Sequence, residues 1–195
     1  MRPHALTSKF RIIVHASALL VPVLAETTSK TLVVAMLALV TVGYALSEFL
    51  RLRGIRVPLI TTFTLKMGRG QESHDFIASP VYLALGVILA LLLFPKGIAY
   101  AAIVAVGIGD PVAAYVGGRF GRRRIGRKSV EGFMAGSLAV FLGTLLVVPP
   151  IIGAIGSIAG MGIELAGVLD DNFTIPLAAG AAMMAAITFL PPTVI

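Results

Sequence analysis

Residues 109–136 read GDPVAAYVGGRFGRRRIGRKSVEGFMAG, and their interpretation decides that of the chain. The stretch begins with a carboxylate, Asp110, inside an apolar run. It then passes Arg119, Arg122, Arg123, Arg124, Arg127 and Lys128, and enters a second apolar run through Ser129 and Glu131. An ionised Asp at bilayer depth costs roughly 2.5–3.5 kcal/mol on insertion scales, so it faces a partner or a cavity and is a functional residue by default. The cations that follow Asp110 are the partners on offer.

Working outward, the chain has 195 residues, of which 57% are hydrophobic and 13% charged, with a mean hydropathy of +0.97. That leaves too little polar surface to cover a water-soluble globule, and the expected class is all-α, a polytopic membrane helical bundle. A spanning helix needs about 20 apolar residues. Apolar runs at 12–25, 31–50, 76–94, 97–118, 130–149, 151–169 and 173–192 give seven expected spans in a single domain, residues 1–195. The absence of Cys removes any disulfide framework or thiolate metal site.

The formal charge of +7 is read by location. With a cytoplasmic N-terminus, only Lys30 and Lys96 fall outside and the other cations gather inside, as the positive-inside rule requires. The acids Glu72, Asp75, Asp110, Glu131, Glu164, Asp170 and Asp171 fall on or near the same inside face, whereas Glu26 lies outside. Acidic side chains do not follow that rule, so their gathering points to a site there. The basic 51–75 loop and the Arg122–Arg124 run read mainly as juxtamembrane anchors for anionic headgroups, with no nucleic-acid partner.

Along a helix through Asp110, residues Gly107, Ala113, Ala114, Gly117 and Gly121 share one face, a small-residue surface around a carboxylate. Pro111 removes a backbone donor, which predicts a bend or break in the span. The segment Gly121–Ser129 nearly spells a phosphate-binding P-loop, but Arg127 intervenes before Lys128 and an apolar span precedes it, which excludes the P-loop fold. Its ingredients remain: glycine backbone able to turn amides toward an anion, Lys128 as a charge for phosphate, and Ser129 as the N-cap of a helix starting near Val130. Mg²⁺ is usually held by one or two carboxylates plus substrate phosphate, so Asp110 with Glu131 or Asp170 is sufficient for it. Turn chemistry accounts for Asp170 or Asn172 but leaves Glu164, in an apolar run, unexplained. His15 is a lone histidine near the inside end of the first span, where such a residue more often hydrogen-bonds a neighbouring helix.

These residues together resemble the CTP-dependent polyprenol kinases, the family of dolichol kinase and phytol kinase. The resemblance is carried by Gly109-Asp110-Pro111-Val112-Ala113-Ala114, by Gly117-Gly118-Arg119-Phe120-Gly121, and by Lys128-Ser129-Val130-Glu131-Gly132. Asp170-Asp171-Asn172-Phe173-Thr174-Ile175-Pro176-Leu177 resembles the family's closing motif, Arg69 with Glu72 its R-x-x-E element, and Arg11 with His15 its N-terminal motif. Ile12 departs from that last motif, which has Lys there, and the chain is short for the family.

The resemblance implies transfer of the γ-phosphoryl of CTP to the hydroxyl of a membrane isoprenoid alcohol, with a divalent cation such as Mg²⁺, at the cytoplasmic face. It implies that Gly117, Gly118, Arg119, Gly121, Lys128, Ser129 and Gly132 bind the nucleotide. Asp110, or Asp170 and Asp171, would hold the metal, and Asp110 or Glu131 would orient or deprotonate the alcohol. The sequence does not choose between base and metal-ligand roles for Asp110.

The leader MRPHALTSKFR and the apolar residues after it also have the form of a secretory signal peptide. A retained first span is the expectation, because Arg11 and His15 belong to the resemblance. Two other activities compete: a cytidylyltransferase that joins CMP to a lipid phosphate, and a small cation-coupled transporter with Asp110 and Glu164 along its path. Gly132 with Gly136, and Gly156 with Gly160, have GxxxG spacing that serves internal packing or a homo-oligomer equally well.

Overall fold

The structure is a computed structural model and describes residues 12–55, 57–58, 60–62, 75–167 and 169–191. Each apolar run becomes a helix: α1 Ile12–Thr27, α2 Lys30–Leu52, α3 Ser79–Leu93, α4 Lys96–Phe120, α5 Val130–Thr144, α6 Pro150–Ala166 and α7 Asp171–Phe189. Between α4 and α5 lies an antiparallel hairpin of β1, Arg124–Ile125, and β2, Lys128–Ser129. Among the described residues α2, α4 and α7 are long and apolar enough to cross a membrane, and the other four helices are apolar but shorter. A helical bundle compatible with a membrane protein is therefore what the chain builds.

The centre is α4, which packs against α1, α3, α5, α6 and α7. Its first half is made of small and branched residues, and Ala101, Ala102, Ile103, Ala105 and Val106 are completely buried. Small side chains let several helices approach one axis without the cavities a larger set would leave. By contrast α2 leaves Met36, Leu39, Val40, Val42 and Leu46 more than half exposed. An uncovered apolar face of that extent is what a lipid-facing helix carries and what a water-soluble monomer rarely shows.

Pro111 does not break α4. The helix widens into one π turn over Ala105–Gly109 and continues as Asp110–Phe120 with the proline in its first turn. Proline cannot donate to the carbonyl four residues back and its ring collides with it; an inserted residue relieves both problems while the helix continues. The expected break is thus replaced by a local widening immediately before Asp110.

Both GxxxG pairs are consumed internally. A Cβ on Gly132 would meet the Ala113 carbonyl at 2.7 Å and one on Gly136 the Met161 methyl at 2.6 Å, so these glycines press α5 onto α4 and α6. Gly156 and Gly160 similarly admit Met183 and Ala179 of α7.

Connections alternate between two ends. The ends of α2 and α6 and the starts of α3, α5 and α7 meet at one end, joined through Arg51, Asp75, Ser79, Lys128, Glu164 and Asp171. At the other end Lys96, opening α4, pairs with Glu26 near the close of α1 at 2.7 Å.

Candidate functional site

The hairpin sets the site's entrance. Gly126 turns between the strands with φ of +57°, a left-handed conformation that glycine adopts without strain. The short ladder pairs Ile125 with Lys128, and Ser129 ends β2 by capping α5: its hydroxyl accepts the Gly132 N–H at 3.1 Å. Ser129 is buried, so the positive end of α5 opens beside Lys128. The close approach of Gly117 and Gly132, where an added Cβ would sit 3.2 Å from the Gly117 Cα, brings α5 against the end of α4.

Facing this wall are acids from three other segments. Asp110 and Glu164 are buried at 4% and 2% exposure, and Asp171 sits in the first turn of α7. One carboxylate oxygen from each lies within 4.8 Å of the others. Lys128 reaches into the group: its Nζ donates to Glu164 and, at 2.6 Å, to Asp171 Oδ2, and lies 3.8 Å from Asp110 Oδ1. Burial pulls the Lys128 pKa down, but its hydrogen bonds to Asp171 and Glu164 and the charge of Asp110 outweigh that and hold it above the ordinary lysine value. It therefore stays cationic through neutral pH.

Together these groups line a cavity of about 510 Å³ with Ala113, Ala114, Gly117, Gly118, Phe133, Leu169 and Asp170, a volume in the range of small-molecule sites. Arg124 and Arg127 also line it. Cations and a helix N-terminus thus form one wall, and carboxylates the other. Among the described residues three acids meet one lysine at the carboxylate wall, and that donor set suits a hard divalent cation.

On the far side of Asp110, the Nε2 of His15 lies 3.1 Å from Asp110 Oδ2 and 2.5 Å from Asn172 Oδ1. Asn172 Nδ2 in turn donates to the Ser79 hydroxyl at 2.7 Å. Helix α1 reaches this position because Gly107 of α4 leaves room for Leu19 and the His15 carbonyl.

No family model matches this chain, and neither a curated protein nor a solved structure matches it.

Of the residues singled out from sequence, Asp110, Lys128, Ser129, Gly117, Gly118, Gly132, Glu164, Asp170 and Asp171 all border this one cavity. His15 and Asn172 adjoin it through Asp110. Glu131 does not join them. Its carboxylate accepts the Arg123 N–H at 3.2 Å and borders a separate cavity with Arg119, Phe120, Gly121 and Arg122. The helix period explains this, since Gly132 and Gly136 take the face against α4 and the neighbouring Glu131 is turned away by about 100°. Asp170 borders the site but is not in the three-acid group; it caps α7 by accepting the Asn172 N–H at 3.0 Å. Arg119 and Gly121 belong to the second cavity. Arg11, Arg69 and Glu72 lie outside the described residues.

Sequence reasoning missed three participants. Arg124 was grouped with the headgroup anchors and Arg127 figured only as the residue that interrupts the P-loop pattern, yet both line the cavity, and the only signal was their place in a turn next to Lys128. Glu48 went unremarked at the end of an apolar run. It is 1% exposed, accepts from Arg51 Nε at 2.9 Å and from the Ile77 N–H at 2.9 Å, and so ties α2 to the segment leading into α3. Its signal was the Glu48–Arg51 helical spacing of three.

Proposed function

We propose that this chain is a CTP-dependent kinase of membrane isoprenoid alcohols, a seven-span protein with its N-terminus and its site on the cytoplasmic face. The observation that carries the reading is the two-signed cavity: Arg124, Arg127, Lys128 and the α5 N-terminus opposite Asp110, Glu164 and Asp171. A metal-bound nucleoside triphosphate needs both walls, anion donors for its phosphates and carboxylates for its cation. Phosphoryl transfer demands little else, because its catalysis is mostly positioning and charge neutralisation.

In this reading Asp110, Glu164 and Asp171 would hold a divalent cation such as Mg²⁺, which would neutralise phosphate charge. Lys128 moves its hydrogen bonds from the carboxylates to phosphate oxygens, and the capped end of α5 orients amides toward the same group. The alcohol enters laterally beside the small-residue face of Ala113, Ala114 and Gly117. Its oxygen attacks the γ-phosphorus, the bond to the β-phosphate oxygen breaks, CDP leaves, and the hydroxyl proton passes to a carboxylate. Asp110 is the nearer candidate for that proton, since Glu131 faces the second cavity.

Purified protein incubated with a panel of isoprenoid alcohols and each nucleoside triphosphate tests the proposal. The expected products are a lipid monophosphate and CDP. Pyrophosphate with a CDP-lipid would establish a cytidylyltransferase instead, and cation flux in liposomes without nucleotide consumption would establish a transporter.

A further inference from the structure

We infer that His15 is a positioning residue, whose Nε2–H holds one oxygen of Asp110 so that the other is presented to Lys128 and the cavity. Only its consequence for turnover rests on the kinase reading; the hydrogen-bond arrangement stands by itself.

The direction of each bond follows from the chemistry of the partners. His15 Nε2 faces two atoms, Asp110 Oδ2 at 3.1 Å and Asn172 Oδ1 at 2.5 Å. An ionised carboxylate oxygen accepts and does not donate, so beside the Asp110 carboxylate the nitrogen carries the proton. The Asn172 atom beside that N–H must then accept as well, which assigns it as the carbonyl oxygen. The amide nitrogen is left toward Ser79, where it meets the hydroxyl at 2.7 Å and the backbone carbonyl at 3.5 Å. A carbonyl accepts only, so this end agrees independently with the assignment at the other. Reversing the amide would set oxygen against carbonyl oxygen at Ser79 and leave a bare Nε2 against Asp110.

The geometry restricts Asp110. His15, Asn172 and Asp110 are all below 5% exposure, so water does not compete for these bonds. Asp110 Oδ2 is held toward α1, while Oδ1 lies 3.8 Å from Lys128 Nζ on the cavity side. Three helices contribute to this one orientation: α1 through His15, α7 through Asn172 and α3 through Ser79. Small errors in placing a reacting group are costly in rate, which gives such a brace its purpose.

The test joins a spectroscopic and a kinetic measurement on the full chain in nanodiscs. Histidine labelled with ¹⁵N in the ring, with the His15 signal identified by its loss in H15Q, should show a protonated Nε2 whose resonance shifts in D110N and in N172L. A His15 ring with Nε2 bare, or a signal indifferent to D110N, overturns the inference whether or not the protein is a kinase. In the kinase assay, H15A should lower kcat on the order of 10²-fold with KM for CTP little changed. H15Q, whose amide nitrogen reaches about where Nε2 sits, should recover most of that loss, and the shorter H15N should not. Unchanged kcat in H15A, or equal recovery by H15N and H15Q, overturns the positioning role. Absence of any phosphorylation by the wild-type protein sinks the kinase reading and leaves the ring spectrum to decide the hydrogen bond.

Discussion

Two buried ionic groups sit at the same end of the bundle and follow opposite arithmetic. Among the described residues Glu48 and Arg51 form a pair, with Arg51 donating through both Nε and a terminal nitrogen at 2.9 and 2.7 Å. Further capacity is used by the Ile77 N–H on Glu48 and by the Asp75 carbonyl on Arg51. Charge balances and the pair has no reason to rearrange. At the other group, Asp110, Glu164 and Asp171 share Lys128, so among the described residues these acids outnumber the lysine. Like charges held together in a partly dry cavity are costly, and the cost falls when a further cation arrives. The first group is built to stay and the second to exchange partners, although both are carboxylates beside a basic side chain.

The sharpest way to break this contrast is to remove Lys128. K128M should lower phosphoryl transfer on the order of 10³-fold, as loss of a preorganised charge donor does, while the chain still inserts into membranes. Near-normal turnover at saturating CTP and Mg²⁺ would mean that the shared lysine does no chemistry. The opposite signature is expected at the balanced pair. E48A leaves Arg51 buried without its counter-ion and should cost about 3 kcal/mol of stability, with kcat per folded molecule unchanged. Thermal unfolding and active-site titration of the same preparation measure both quantities.

A smaller effect, of reversed sign, probes the crowded acids. D171N keeps an oxygen for Lys128 to bond while removing one like charge. It should stabilise the metal-free protein by about 1 kcal/mol, the scale at which relieving a functional site usually registers, and raise the melting midpoint by about 2–4 °C for a chain of this size. Millimolar Mg²⁺ should raise the midpoint of the wild-type protein and do so much less in D171N. A midpoint that falls in D171N, or an equal response to Mg²⁺, would place Asp171 with the structural acids.

Much of this was legible in the chain because the cues were local. Apolar runs of spanning length became helices, and Ser129, at the border between polar turn and apolar run, became the cap it was read as. Asp110, Lys128, Glu164 and Asp171 could be placed on one face because charge follows topology in a membrane span, although the metal pair read from the residues was Asp110 with Glu131 or Asp170. What escaped notice depended on distance or on helical phase. Glu48 finds the Ile77 amide 29 positions away, and no local pattern announces that. Glu131 sits beside Gly132 in sequence but one helical step away in direction, so adjacency to the motif misled. The π turn before Pro111 arises from a conflict that a helix can settle either by breaking or by widening, and only the surrounding packing decides which.

The smallest expected effect belongs to a third ion pair, at the opposite end. Lys96 and Glu26 approach as closely as Arg51 and Glu48, at 2.7 Å in both cases, yet their side chains are 68% and 46% exposed. Water solvates both partners whether or not they meet, and salt screens what attraction remains. K96A should therefore leave thermal unfolding and turnover indistinguishable from wild type at physiological ionic strength. A clear destabilisation would show that the far end also rests on buried charge, and the contrast between the two ends would have to be redrawn around something other than desolvation. Equal separations with unequal consequences would otherwise identify burial, and not proximity, as the variable that divides this pair from Arg51 and Glu48.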